Sequence, residues 1–187
     1  MLKKIGIVVV VLLVLLIGVI YTRPGAFEIT RSKTMTAAPA VVYAAIADFH
    51  RWPLWSPWEA RDPNMQRTFS GPESGNGAKY AWVGNKDVGE GRMTITEARP
   101  VEHVAILLEF LEPFAATSTT EFKLTPSGQG TKVDWTMRGE NGFPAKAMSL
   151  FMNMDKMIGD DFDAGLAKLE TVTAAAPASG APLPSGG

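Results

Sequence analysis

The chain has no cysteine and only two histidines, His50 and His103, in 187 residues. The first absence excludes disulfides, thiolate metal sites and cysteine nucleophiles, and the second excludes a multi-histidine metal centre. An excess of one charge is missing as well, since 18 Lys and Arg stand against 19 Asp and Glu. Binding a phosphate backbone needs a clustered basic surplus, so nucleic acid is excluded as a partner. No G-x-S-x-G, phosphate loop or metal-ligand spacing occurs. Neither a metal nor another cofactor is therefore expected.

The first thing present is a long apolar run. Lys3 and Lys4 precede an uncharged stretch from Ile5 to Tyr21, almost wholly Val, Leu and Ile, which Arg23 and Pro24 close. Roughly 17 residues at ~1.5 Å each span most of a ~30 Å hydrocarbon core, and Tyr21 suits the interface beyond it. A cleaved signal peptide shares this basic start and apolar middle. It would need small residues at a cleavage site, and Gly18-Val-Ile-Tyr-Thr-Arg-Pro24 offers no A-x-A pattern. We therefore expect a retained transmembrane signal-anchor over residues 1–22. The lysines before the run nearly balance Arg23, Arg31 and Lys33 after it, so the charge rule is weak here. The very short N-terminal tail is of the signal-anchor kind and places the soluble part outside the cytoplasm.

At the other end, residues 174–187 are almost entirely Ala, Pro, Ser and Gly, a composition that cannot pack and is expected to be disordered. One domain, over residues 27–172, fills the space between. Phe27 to Thr36 has the β-branched content of a strand. Pro39 stands where a first-turn proline starts a helix, and the residues from Ala40 to Ala47 continue it. The Pro-interrupted segment Trp52-Pro-Leu-Trp-Ser-Pro-Trp58 reads as a short helical turn and loop. Six strands are expected next, at 66–70, 78–83, 91–98, 103–111, 116–124 and 132–138, with Gly and Pro between them. After Gly142-Phe-Pro144 a single long helix to about Val172 carries Phe151, Ile158, Phe162, Leu166 and Leu169 at three-to-four spacing. This order gives an α+β fold in which a curved antiparallel sheet grips the last helix.

These residues resemble the START-like SRPBCC superfamily, the Bet v 1 fold, in its polyketide cyclase/dehydrase-type branch. The pieces that carry the resemblance are Trp52-x-x-Trp55-Ser-Pro-Trp58, Tyr80-x-Trp82, Gly89-Glu-Gly91 before Met93-Thr-Ile95, Gly130-Thr-Lys-Val133-x-Trp135 and the final helix from Phe151 to Leu166. The resemblance implies a helix-grip domain closed around an apolar cavity. It is fold-specific and not activity-specific, because the superfamily includes lipid carriers, ligand binders and aromatases.

Candidate ligand-contacting residues follow from which side chains face inward. Trp52, Trp55 and Trp58 recur every three residues and would share one side of a helical turn, as a cavity rim, as packing, or as an exposed interaction edge. Tyr80 with Trp82, Met93 with Ile95, and Val133 with Trp135 and Met137 alternate onto one strand face, against Lys79, Arg92, Lys132 and Asp134 on the other. The last helix adds Met148, Phe151, Met152, Met154 and Met157, whose flexible thioethers serve core filling and ligand contact alike. Asp155 falls on the apolar side of that helix, four residues after Phe151 and three before Ile158. Glu97 shares the phase of Met93 and Ile95. These two are the weak catalytic candidates, as an inward acid or base; Asp155 could equally fix a ligand's polar group, and the readings set against both are a structural hydrogen bond or helix-edge exposure for Asp155 and strand-end exposure for Glu97. Glu109 opposes Leu108 and Phe110, while His50 and His103 lack triad partners.

The expectation is a membrane-anchored, noncatalytic domain that takes an apolar or amphipathic small molecule, including a lipid, into its interior. The alternatives are a cyclase- or hydratase-type enzyme working through Asp155 or Glu97, and a protein-interaction module using the Trp52 to Trp58 edge. Oligomeric state is left open.

Overall fold

The computed structural model describes residues 2–175. Helix α1 (Leu2–Thr22) is followed by β1 (Ala26–Met35), α2 (Pro39–Ala47) and two 3₁₀ turns, Phe49–Leu54 and Glu59–Arg61. Strands β2 (Gln66–Ser70), β3 (Lys79–Val83), β4 (Glu90–Arg99), β5 (His103–Glu112), β6 (Ala116–Ser127) and β7 (Gly130–Glu140) come next. The described chain ends with α3 (Phe143–Met148) and α4 (Met154–Ala174). The expected tail lies almost wholly outside the described residues.

All seven strands form one antiparallel sheet in the order β1-β7-β6-β5-β4-β3-β2. Each expected strand is present to within three residues at either end. Alternation does the rest, since Ile29, Tyr80, Trp82, Ile95, Val104, Ile106, Phe122, Val133 and Trp135 all fall on one buried face. Leu166, Leu169 and Phe162 of α4 cover that face. The architecture is the α+β helix-grip fold.

Edge strand β1 binds α4 by charge as well as by packing. Arg31 and Lys33 share the inward phase of Ile29, and they reach Asp155, Asp163 and Glu170 at 3.3, 3.5 and 3.0 Å. Gly159 makes room for this crossing, because a Cβ there would sit 1.8 Å from the Arg31 guanidinium.

The C-terminal side differs from the single long helix expected. α3 stops at Met148, and α4 restarts after Asn153, whose side chain accepts from the Lys156 N–H at 3.0 Å as an N-cap. Phe151 therefore lies in a non-helical link and is 84% exposed.

The Trp-rich segment owes its form to α2. A helix leaves its last carbonyls without intrahelical partners. The Trp55 indole N–H donates to the Ala45 carbonyl at 3.1 Å, the Trp52 indole to Ile46 at 3.0 Å, and the Gly75 N–H to Ala47 at 2.8 Å. Two tryptophans thus cap the helix while their rings enter the core.

Candidate functional site

Between the sheet and α4 the core does not close completely. A cavity of about 400 Å³ remains there, within the ~300–1,000 Å³ range of small-molecule sites. Its inner wall is made by Trp52, Tyr80, Trp82, Met93, Trp135 and Met137. The outer wall and mouth come from Phe114 in the β5–β6 turn, Met148 on α3, and Met154, Met157 and Phe162 on α4. Polar lining is sparse, with hydroxyls from Ser56, Ser118 and Thr120 and charged groups from Arg61, Glu140 and Asp161.

The inner wall is rigid. Trp135 stacks on Phe162 with centroids 4.1 Å apart at 6°, and Trp55, Trp58 and Phe122 pack around it at 4.8–6.0 Å. Aromatic rings in such contact hold one another in place beyond what burial alone supplies. The Trp135 indole N–H is buried with no hydrogen-bond partner among the described residues.

Behind Tyr80 lies a polar group that pattern reading missed. Its hydroxyl donates to Glu59 Oε1 at 2.8 Å, while Arg67 holds Glu59 Oε2 through its Nε at 2.8 Å. Glu59 is buried in the second 3₁₀ turn. Burial foremost, and then the adjacent Glu59 carboxylate, push the Tyr80 phenol well above its ordinary range. The phenol is therefore a fixed neutral donor that locks one cavity wall to the turn beside it. Only its residue types were visible in sequence; Glu59, Arg67 and Tyr80 meet through topology, not spacing.

Of the ligand-contact candidates, Trp52, Trp58, Tyr80, Trp82, Met93, Trp135 and Met148 line the cavity. Trp55, Phe151, Met152 and Asp155 are not part of its wall. Trp55 is 0% exposed because its ring is wedged between α2, Phe122 and Trp135. This also corrects the expected interaction edge: Trp52 and Trp55 are buried and Trp58 is half-buried, so no exposed tryptophan ridge exists. Phe151 and Met152 sit in the link between α3 and α4, facing solvent.

Both acid candidates turn away from the cavity. Asp155 faces β1, where Arg31 binds it, and its side chain is 63% exposed. Glu97 is displaced by a bulge: Ile95 pairs with Ile106, yet Glu97 pairs with the next residue, Ala105, so Thr96 is the extra residue. One inserted residue reverses the phase that strict alternation assigns. Glu97 consequently points outward and pairs with Arg99 at 3.0 Å. The acids that do reach the wall are Glu140 and Asp161, the latter held by Arg61. Glu109 faces outward as expected and is bound by Arg92 at 2.7 Å. His50 stacks on Phe69, and His103 is a half-buried strand-start residue.

The family described as polyketide cyclase/dehydrase and lipid transport matches this chain over residues 26–174. No curated protein matches it. Solved structures share the fold at low identity. A Staphylococcus aureus protein of unknown function, SA2116, aligns with TM-score 0.60 and 16% identity, covering 81% of this chain and 96% of its own. The Aha1 dimer from Colwellia psychrerythraea aligns with TM-score 0.57 and 15% identity, over 82% and 99%. The di-domain aromatase/cyclase StfQ of the steffimycin biosynthetic pathway aligns with TM-score 0.59 and 11% identity, over 80% of this chain and 51% of its own. At these identities the likeness is one of fold.

Proposed function

We propose a function from the premise that this chain belongs to the polyketide cyclase/dehydrase and lipid transport family: it is a container for an apolar or amphipathic small molecule, held at a membrane by α1. The observation that carries this reading is the cavity itself, aromatic and rigid on its inner wall and rich in methionine at its mouth. Rigid rings supply shape and buried area, and thioethers adapt to variable chains. Burying ten methylenes at ~0.8 kcal/mol each would support micromolar binding, about −8 kcal/mol. Trp52, Trp58, Tyr80, Trp82, Met93, Trp135 and Met148 are the proposed contacts, and a fatty-acyl or comparable lipid is the proposed class of cargo. The reading is noncatalytic: Asp155 and Glu97 turn away from the cavity, and Asp161 at its wall is bound by Arg61.

The proposed anchor is α1, long and apolar enough to cross a membrane. The domain would sit on the extracytoplasmic side. Alkaline carbonate washing should leave the chain with membranes, and a mature N-terminus beginning after residue 22 would sink the anchor.

The cargo is tested by adding a photoactivatable fatty-acyl probe to the full chain in its host membranes and mapping the adducts by mass spectrometry. Adducts should fall on Met93, Met137 and Trp135, and Met93→Trp, which fills the space, should abolish them. Adducts confined to α1 would count against a container. Asp161 supports the cyclase-type rival, being, with Glu140, a carboxylate at the wall. Asp161→Asn should leave the adducts unchanged, and turnover of a bound polyketide lost in that variant would favour the enzyme.

A further inference from the structure

The cavity mouth and the membrane helix share one end of the domain. Ala26, the first residue of β1, pairs with Glu140, the last of β7, and α3 begins at Phe143 just beyond. The β5–β6 turn lies at that end too, because Ser118, near the start of β6, pairs with Gly139, near the end of β7. Only Arg23, Pro24 and Gly25 separate α1 from β1. At ~3.3–3.6 Å per extended residue these span at most about 10 Å. The link is shorter still in effect, since Tyr21 of α1 packs on Phe143 of α3 with ring centroids 5.6 Å apart.

This same end is where apolar side chains are left uncovered. Phe114, Phe143, Met148, Phe151 and Met152 are all exposed, Phe114 by 60%, and they come from the β5–β6 turn, α3 and the link after it. Beyond α1, Val101 is the one large exposed apolar residue among the described residues that sits at the opposite end. A patch this concentrated marks a contact surface. Two cations border it. Arg23 follows α1 directly, and Lys146 of α3 lies with its ammonium beside Gly25; neither makes an ion pair among the described residues.

We infer that this end rests on the bilayer that α1 enters, with Phe114, Phe151 and Met152 dipping into the interface and Arg23 and Lys146 meeting lipid phosphates. The tether keeps the patch at the bilayer: its reach of about 10 Å is comparable with one headgroup layer, roughly 5–8 Å on each side of a ~30 Å core, and the Tyr21–Phe143 contact draws this end closer still. Apolar side chains with neighbouring cations are the composition that interfacial docking uses. Because Met148, Met154 and Met157 frame the cavity mouth at the same end, cargo would pass between bilayer and cavity without crossing water. The docking needs α1 in the membrane but does not need the cavity to hold lipid, so the two readings fail separately.

The absence of cysteine makes the test clean. Single cysteines at Phe114, Phe151 and, at the far end, Ser127 carry an environment-sensitive fluorophore. The full chain is reconstituted in vesicles of phosphatidylcholine and phosphatidylglycerol. Labels at 114 and 151 should emit blue-shifted and be quenched by nitroxide on the acyl chains, whereas the label at 127 should be quenched only by aqueous iodide. Aqueous emission and iodide quenching at 114 and 151 would overturn the inference. Shielding from both quenchers would overturn it too, in favour of a second copy of the chain on the patch. Phe151→Glu should weaken nitroxide quenching at 114 and leave the cavity adducts in place. If adducts vanish while the rim stays quenched, the container reading falls and the docking stands.

Discussion

Under α4 the domain is built in two ways. Toward the α4 C-terminus, Leu166 and Leu169 share one buried cluster with Val42, Ile46, Phe122 and Val133, all fully buried. Toward its N-terminus, Met154 and Met157 face Met148 and Phe114 across open space. The closed half uses branched and aromatic side chains with few rotamers, and the open half uses methionines with many. A protein interior is ordinarily packed throughout, so the change of residue type along one helix separates what holds the fold from what the fold leaves available. Wide differences in mutational cost should follow from it.

The largest effect belongs to Trp135, which the rings of Trp55, Trp58, Phe122 and Phe162 surround. Trp135→Ala should cost about 3–5 kcal/mol in stability. Unchanged melting would mean that the ring cluster at the boundary of the two halves does not carry the fold. Next comes the polar lock behind the wall. Glu59→Gln removes the charge that Arg67 and Tyr80 bind, and about 1–3 kcal/mol should be lost; Arg67 is partly exposed and can recover water, which keeps the loss below that of a sealed pair. Tyr80 adds a pH dependence. Its folded phenol is raised above the ordinary 10.0 by burial and by Glu59. The folded state thus keeps a proton that the unfolded chain releases, so this contribution is full below pH 10.0 and declines above it. Alkaline titration of unfolding should show that decline, and Tyr80→Phe should flatten it.

A smaller effect comes from Gly165, where α4 lies tight on the inner wall. An added Cβ would stand 2.8 Å from the Trp135 ring and 3.1 Å from Pro57. Overpacking should outweigh the gain in helix propensity, leaving Gly165→Ala about 1–2 kcal/mol less stable. A stabilised variant would show that the closed half has slack.

Much of this layout was legible in the sequence, and the failures have physical causes. The strands could be placed because Gly and Pro punctuate them and two-residue alternation marks the buried face. The same alternation misplaced Glu97, because a bulge at Thr96 carries no signal that a period of two can register. Asp155 takes the helix-edge alternative to an inward acid: β1 offers Arg31 and Lys33 on its inward phase, so the side of α4 that faces the sheet edge is charged rather than apolar. The break between α3 and α4 has no Gly or Pro, yet Asn153 with Asp155 two residues on is a helix-start pattern that could have revealed it. Most cavity-lining candidates came from strands, where phase is reliable. Of those that missed, Phe151, Met152 and Asp155 came from the link and helix start that the single long helix had absorbed, and Trp55 from the Trp-rich turn, where its indole caps α2.

The smallest expected effect contrasts two phenylalanines eleven positions apart. Phe162 is buried and stacked on Trp135, whereas Phe151 stands in the open link. Phe162→Ala should cost about 3–5 kcal/mol, as a large core truncation does. Phe151→Ser should change stability by no more than about 0.5 kcal/mol, since it removes no packed contact. Measured on the full chain in detergent, equal melting of Phe151→Ser and the unaltered protein would fit a side chain that is not there for the fold. A clear loss would mean that the link packs on the domain in solution. The open half would then be a second, weaker core, and its exposed side chains would need no bilayer to account for them.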